Sequence, residues 1–362
     1  RDNQISSHLT QLFKKDLSKG NIPEFKDKIK RLLFGTETSL ISENYRKALG
    51  LLLEGLAYEK SRSFDPHLLP KNFRFMLLNL LDKENKKEAA GELLELILKE
   101  WDHIIEDGDF DYLRSLLETL KKKERFLSAD PRALRLERSM ADLVEKAILE
   151  GADLPVFNYF INTFQAGTLD ANIYLKKIFS SRRITPHILR AFFKFHQDSQ
   201  LYFNINLQQH AGDTPLMNQL IENLQEVDSQ SSLTVFKTIF AQDNREVKIR
   251  ALQAMQHLSR CDDKFLFRLL KKEDLVFKKE AMAVLAKFDS LRPRALEKLL
   301  GLPSFFGLQN RALLDHLGIV KELNLRPARS LVASLARRGF PWNKKLREEA
   351  LRLLEDWDAR KN

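Results

Sequence analysis

The sequence predicts an all-α chain of helix pairs stacked into a right-handed α–α superhelix, an α-solenoid. Three observations carry that expectation. Leu-rich segments separated by Lys/Glu clusters run from end to end, and no run alternates apolar and polar residues at the period of two that a half-buried strand needs. Only 13 Gly and 11 Pro punctuate 362 residues, which suits long helices joined by short turns. One short pattern also recurs four times between residues 243 and 357: an apolar residue, usually a basic one, two variable residues, an alanine and another apolar residue.

Taken in order, residues 1–20 read as a helix with Ile5, Leu9, Leu12 and Phe13 inward. Residues 23–34 read as a second, opened by Pro23 and closed by Gly35. Residues 37–59 form a long helix whose inward stripe includes Leu49, Leu52, Leu53 and Leu56, and residues 61–70, with Pro66 and Pro70, read as a linking loop. The next pair is 72–81 and 86–105, the second holding Leu93, Leu94, Ile97, Leu98 and Trp101 on one side. Residues 112–120 follow, and the trailing Lys121, Lys122 and Lys123 complement the negative end of that helix. Helices over 131–149, 155–164, 171–179 and 186–195 come next. Residues 198–213 look least helical, being rich in Asn and Gln, and 215–224 is a last helix before the polar stretch 228–232. A domain boundary is placed there. It separates a helical region of degenerate pairs, 1–230, from a repeat region, 231–362.

In the repeat region the copies read Val247-Lys248-Ile249-Arg250-Ala251-Leu252, Phe277-Lys278-Lys279-Glu280-Ala281-Met282, Leu308-Gln309-Asn310-Arg311-Ala312-Leu313 and Leu346-Arg347-Glu348-Glu349-Ala350-Leu351. Val247, Ala251, Met255 and Leu258 fall on one face of a 3.6-residue helix, as do Phe277, Ala281, Leu285 and Phe288, and Leu346, Ala350, Leu354 and Trp357. The third copy places His316 where the others have Met or Leu. A small alanine in mid-face lets a neighbouring helix approach to the near end of the usual ~8–10 Å. Each of these helices follows another short apolar one, so the unit is a helix pair that must stack on its copies to cover its apolar side. This signature resembles HEAT repeats, particularly the short bacterial kind, over roughly residues 231–362. The resemblance implies the fold and leaves the activity open.

Net charge is +10, and it is unevenly placed. Residues 231–362 carry 27 Lys+Arg against 16 Asp+Glu, an excess of 11, which leaves the remainder at −1. The single cysteine, Cys261, rules out an internal disulfide and favours a reducing, cytoplasmic setting. No stretch is long and apolar enough to span a bilayer; the best uncharged window, 154–169, contains Pro155, Asn158, Asn162 and Gln165.

Candidate sites are few. Asp107, Asp109 and Asp111 sit at calcium-loop spacing with Glu118 in twelfth place, but Tyr112 stands where such a loop needs glycine. A turn in which Asp109 or Asp111 caps the next helix is the expectation. His316 is expected to be a core histidine with one satisfied nitrogen. No pair of histidines has the i, i+4 spacing of a helical zinc site, and no phosphate loop, nucleophile elbow or acid–base pair stands out. No catalytic residue, metal site or cofactor is therefore expected, and the chain is not expected to be an enzyme. If the repeats stack, the second helix of each pair lines a concave surface whose charged members are Arg250, Lys279, Lys287, Arg311 and Arg352, interrupted by Glu280, Glu349 and Glu355. Arg337 and Arg338, with Trp342, Lys344 and Lys345 nearby, make the densest exposed basic spot. The expected role is a protein-interaction scaffold with an acidic partner; the alternative is nucleic-acid binding by the basic repeats.

Overall fold

The computed structural model describes residues 68–272, 274–302 and 305–359. The helices expected over residues 1–59, and residues 61–67 of the expected loop, lie outside them. The described residues form 19 α-helices and no strand. The chain divides into two compact units: Arg1–Val144 with Leu154–Phe164, and Glu145–Asp153 with Gln165–Asn362. Position 230, where the sequence places a boundary, is internal to the second unit.

The first unit contains α1 (Leu68–Lys83), α2 (Lys87–Lys99), α3 (Trp101–Asp107), α4 (Phe110–Lys122), α5 (Glu124–Leu127), the larger part of α6 (Pro131–Glu150) and α7 (Val156–Thr163). α1 starts inside the expected loop because a proline in a first turn gives up only an N–H that has no partner within the helix. The single helix expected over 86–105 is two. Glu100 N–H is shared between the Leu96 and Ile97 carbonyls, both at 3.2 Å, and its backbone (φ −88°, ψ 2°) leaves the helical region. Ile97 and Ile104, seven residues apart, are nevertheless both fully buried, so the apolar period runs straight through the break and hides it.

Gly108 ends α3 at φ 60°, the left-handed conformation glycine adopts without strain, and Asp109 caps α4 by accepting from Tyr112 N–H at 3.0 Å. The other carboxylates of this loop have separate engagements: Asp107 with the buried Arg74 at 2.6 Å, and Glu118 with Arg114 at 2.9 Å. Asp109→Ala should cost about 1 kcal/mol through loss of the cap. Urea denaturation checks it, and an unchanged midpoint would show that the cap contributes nothing. Packing in this unit is aromatic at its centre: Phe110 meets Phe157 edge-on at 5.1 Å, and Phe75 meets the buried Tyr112 at 5.6 Å.

The second unit opens with the last turns of α6. There Glu145, fully buried, accepts from Thr168 N–H at 2.5 Å, Thr168 Oγ1–H at 2.7 Å, Leu169 N–H at 3.3 Å and Tyr174 O–H at 2.6 Å. The chain continues as α8 (Ala171–Leu175), a π-helical turn Lys176–Ser180, α9 (Pro186–Phe195), α10 (Gln200–Gln209) and α11 (Thr214–Val227). The helix α10 corrects the expectation of irregular structure at 198–213. Its two Asn are weak helix formers, but Phe203 and Leu207, four apart and fully buried, anchor one face while Leu201 and Tyr202 stay in solvent. Thr185, Asp213, Ser229, Asn244 and Asp274 cap five helices, each accepting a backbone N–H of the first turn.

The repeat region supplies α12 (Gln230–Phe240), α13 (Arg245–Met255), α14 (Asp263–Lys272), α15 (Leu275–Lys287), α16 (Arg292–Leu300), α17 (Asn310–Glu322), α18 (Arg329–Ala336) and α19 (Lys344–Ala359). Contacts alternate. α9, α11, α13, α15, α17 and α19 each touch the next of that series; α14, α16 and α18 do the same. The pairs α12–α13, α14–α15, α16–α17 and α18–α19 pack against one another. Ala251, Ala281 and Ala350 are buried at these contacts, as the repeat spacing requires. Two details differ from expectation. In the third copy Leu308 is 84 % exposed and lies outside the helix, and Ala312 is half-buried; the face turned inward is Leu313, His316, Leu317 and Val320. In the fourth, Leu353 takes the buried place and Leu354 is half-buried.

His316 Nδ1 lies 2.7 Å from the Leu299 carbonyl and its Nε2 lies 3.4 Å from Lys278 Nζ, so both nitrogens have neighbours. Burial holds His187, His196 and His316 below the ordinary histidine range. The sign follows directly. With folded values below the unfolded value of about 6.5, these groups contribute stability that is fully present above that pH. It is lost as pH falls from there through the folded values, because the unfolded chain binds protons first. The melting temperature should therefore drop as pH falls from about 7 toward 5, and His316→Gln should flatten the profile; a flat native profile over that range would refute this.

Candidate functional site

The charges expected on the second helices are mostly engaged within the protein. Arg250 pairs with Glu246 at 3.3 Å, Lys279 with Glu322 at 2.5 Å and Arg352 with Glu349 at 3.4 Å. Lys287 Nζ donates to the Gln256 and Leu258 carbonyls at 3.1 and 2.9 Å, closing the end of α13. Of that set only Arg311 is exposed with neither an ion pair nor a side-chain hydrogen bond among the described residues. These pairs are mutually screened at the surface and leave little net field to attract a ligand.

A group of unpaired cations stands on the first helices. Lys264, Arg268 and Lys271 on α14, Arg294 and Lys298 on α16, and Arg337 just beyond α18 are exposed, and no carboxylate pairs with them among the described residues. Lys271 and Lys298 each sit in the last turn of their helix, and α14 touches α16. Their ammonium groups face one another, and Arg294 lies close by with its guanidinium 4.9 Å from the Phe267 ring. The charge of Lys271, then direct contact with it, and then slight burial and Arg294 pull the Lys298 ammonium below the ordinary lysine range. Glu297 is the exposed carboxylate on the same helix.

Beside these ends the connections carry exposed aromatics. The turn Phe305–Gly307 follows α16, and the turn Pro341–Asn343 follows α18. Phe340 and Trp342 stack in parallel, 4.8 Å apart with 4° between planes, and Phe306 leans on Trp342 at 5.6 Å. Phe306 is 79 % exposed, Phe340 61 % and Trp342 42 %. Asn310 holds the two turns together, its Nδ2 donating to the Trp342 carbonyl at 2.7 Å and to Asn343 Oδ1 at 3.0 Å. Gly307 at φ 78° is pressed against the same place: a Cβ there would stand 3.3 Å from both Asn310 Nδ2 and Trp342 Cβ. Lys344 and Lys345 open α19 beside the stack, both exposed, while Arg338 is half-buried.

The structure thus joins Trp342 to two aromatics outside the set the sequence singles out, Phe306 and Phe340. It also adds the cations of α14 and α16. The available signal was the pair of apolar residues in each polar connection, Phe305-Phe306 and Phe340-Trp342, which no helical face accounts for. Elsewhere, a shallow cleft of about 550 Å³ in the first unit is lined by Lys121, Lys122, Glu124, Arg125 and Ser128. Two of its lysines are already engaged, with Glu137 at 3.2 Å and Asp82 at 2.7 Å. No group of three or more His, Cys, Asp or Glu side chains within reach of one metal ion occurs among the described residues, and no described helix is long and apolar enough to cross a membrane. The chain matches no family model, no curated protein and no solved structure.

Proposed function

We propose that this chain is a non-catalytic interaction scaffold, a HEAT-like α-solenoid whose second unit presents a basic edge to an acidic partner. One observation carries the reading. Lys264, Arg268, Lys271, Arg294, Lys298 and Arg337 pair with no carboxylate among the described residues, whereas Arg250, Lys279 and Arg352 of the second helices are paired within the fold. Surface cations without carboxylate partners raise the local potential and steer an anionic surface toward it. The next-but-one helix contacts support the solenoid, since stacking units of that kind build extended binding surfaces. Cys261, half-buried and alone, suits a reducing cytoplasmic setting.

The test is fluorescence anisotropy with a labelled poly-glutamate probe at rising salt. Binding at low ionic strength that weakens steeply as salt is added supports the scaffold reading; no binding at low salt overturns it. A second reading, nucleic-acid binding, is favoured specifically by the exposed Phe306, Phe340 and Trp342 beside that charge, because every base offers a flat π-face.

A further inference from the structure

The geometry points to single-stranded nucleic acid as the ligand of this edge, with the backbone tracking Lys271, Lys298 and Arg337 and bases stacking on Phe340, Trp342 and Phe306. This rests on the nucleic-acid reading above and deepens it. The cations and the aromatics belong to one side of the fold for a structural reason. Lys271 and Lys298 sit in the last turns of α14 and α16, helices that touch, and α16 touches α18, whose end bears Arg337. The connections that leave α16 and α18 are themselves in contact, through Phe306 on Trp342 and through Asn310. With neighbouring helices ~8–10 Å apart, three helix ends extend over roughly 16–20 Å, room for several nucleotides.

Each component matches what a single strand needs. Phosphates are met by cations that pair with no carboxylate among the described residues. Bases need planes, and the parallel Phe340–Trp342 pair presents them in solvent, which a buried aromatic cannot do. A duplex hides its base faces and would use the charge alone. An acidic protein surface can pack against exposed rings but offers no run of flat bases to stack on them. An anionic membrane would be met by a ring of cations around the apolar residues, whereas Lys271 and Lys298 stand in the last turns of α14 and α16, on separate elements from the rings.

The experiment measures anisotropy of a labelled 15-nucleotide oligo-dT against the folded full chain, with a duplex of equal length, poly-glutamate and anionic phosphatidylserine vesicles as competitors. The single strand should bind most tightly. Phe340→Ala with Trp342→Ala should weaken it about 10- to 100-fold, as loss of stacking at one or two bases implies, and leave poly-glutamate binding unchanged. Lys271→Glu with Lys298→Glu should weaken every polyanion and flatten the salt dependence by roughly 0.7 in logarithmic slope for each phosphate no longer neutralised. Phe340→Ser alone serves if the double aromatic variant melts early, since Phe340 is mostly exposed. In the native chain oligo-dT should quench a tryptophan emission that Trp342→Phe removes.

Equal affinity for poly-glutamate and oligo-dT, with no effect of the aromatic variants, overturns the single-strand assignment and leaves the acidic-partner reading intact. Tighter binding of the duplex, or capture by vesicles without oligonucleotide binding, overturns it as well. Failure of every polyanion at low salt removes both readings together.

Discussion

Ala281→Asp is expected to destabilise the second unit by about 3–5 kcal/mol, the cost of leaving an unpaired charge in a dry helix contact. Ala281 is completely buried on α15, whose inward face also carries Phe277, Met282, Val284 and Leu285, and α15 touches α13, α14, α16 and α17. Its methyl has no solvent access, so neither water nor a cation can readily follow the carboxylate in. The companion change, Ala312→Asp, separates the repeat pattern from its execution. Ala312 has the same place in the pattern yet is half-buried, and Leu308 before it is in solvent. It should cost about 1 kcal/mol, because the new carboxylate can reach water. Urea denaturation of both variants decides the matter. Equal midpoints for the two, or an Ala281→Asp midpoint like that of the native chain, would contradict close helix packing at Ala281.

Glu145→Ala should cost about 3 kcal/mol or more and loosen residues 165–175 before the rest of the unit. A buried carboxylate ordinarily needs a cation; this one is held by four neutral donors, two backbone N–H groups and two hydroxyls. Removing it strands those donors, each worth about 1–3 kcal/mol when left unsatisfied in the interior, less what water recovers on entering. Tyr174 remains a donor throughout, since burial and the neighbouring Glu145 push its hydroxyl far above the ordinary tyrosine range. Gly167 belongs to the same arrangement. A Cβ there would lie 2.5 Å from Glu145 Oε1 and 3.0 Å from Phe195 Cβ, so Gly167→Ala should be destabilising too. Hydrogen exchange of residues 165–175 in Glu145→Ala provides the check. Protection equal to that of the native chain would mean that the loop is held by packing alone.

How far the sequence could be read is clear from particular residues. The buried faces of α13, α15 and α19 follow from a 3.6-residue apolar period around Ala251, Ala281 and Ala350, because burial of a helix face is a local property of spacing. The Asp109 cap, the Pro186 start and the core position of His316 were legible for the same reason. The helix α10 was not, since its composition argues for a loop and only long-range burial of Phe203 and Leu207 overrides that. Nor was the fate of the charges. Arg250, Lys279 and Arg352 looked available because an ion pair depends on which carboxylate a neighbouring turn or helix brings within a few ångströms.

By itself, then, the amino-acid order determined that this chain is helical, where most helices start and stop, and which of their residues turn inward. Those outcomes depend on interactions within a few residues along the chain. The tertiary structure alone decided which cations are quenched and which are left free, and it brought Lys271 to Lys298 and Phe306 to Trp342. Those partners are 27 and 36 residues apart, and nothing in the local spacing that builds a helix specifies what its surface will meet.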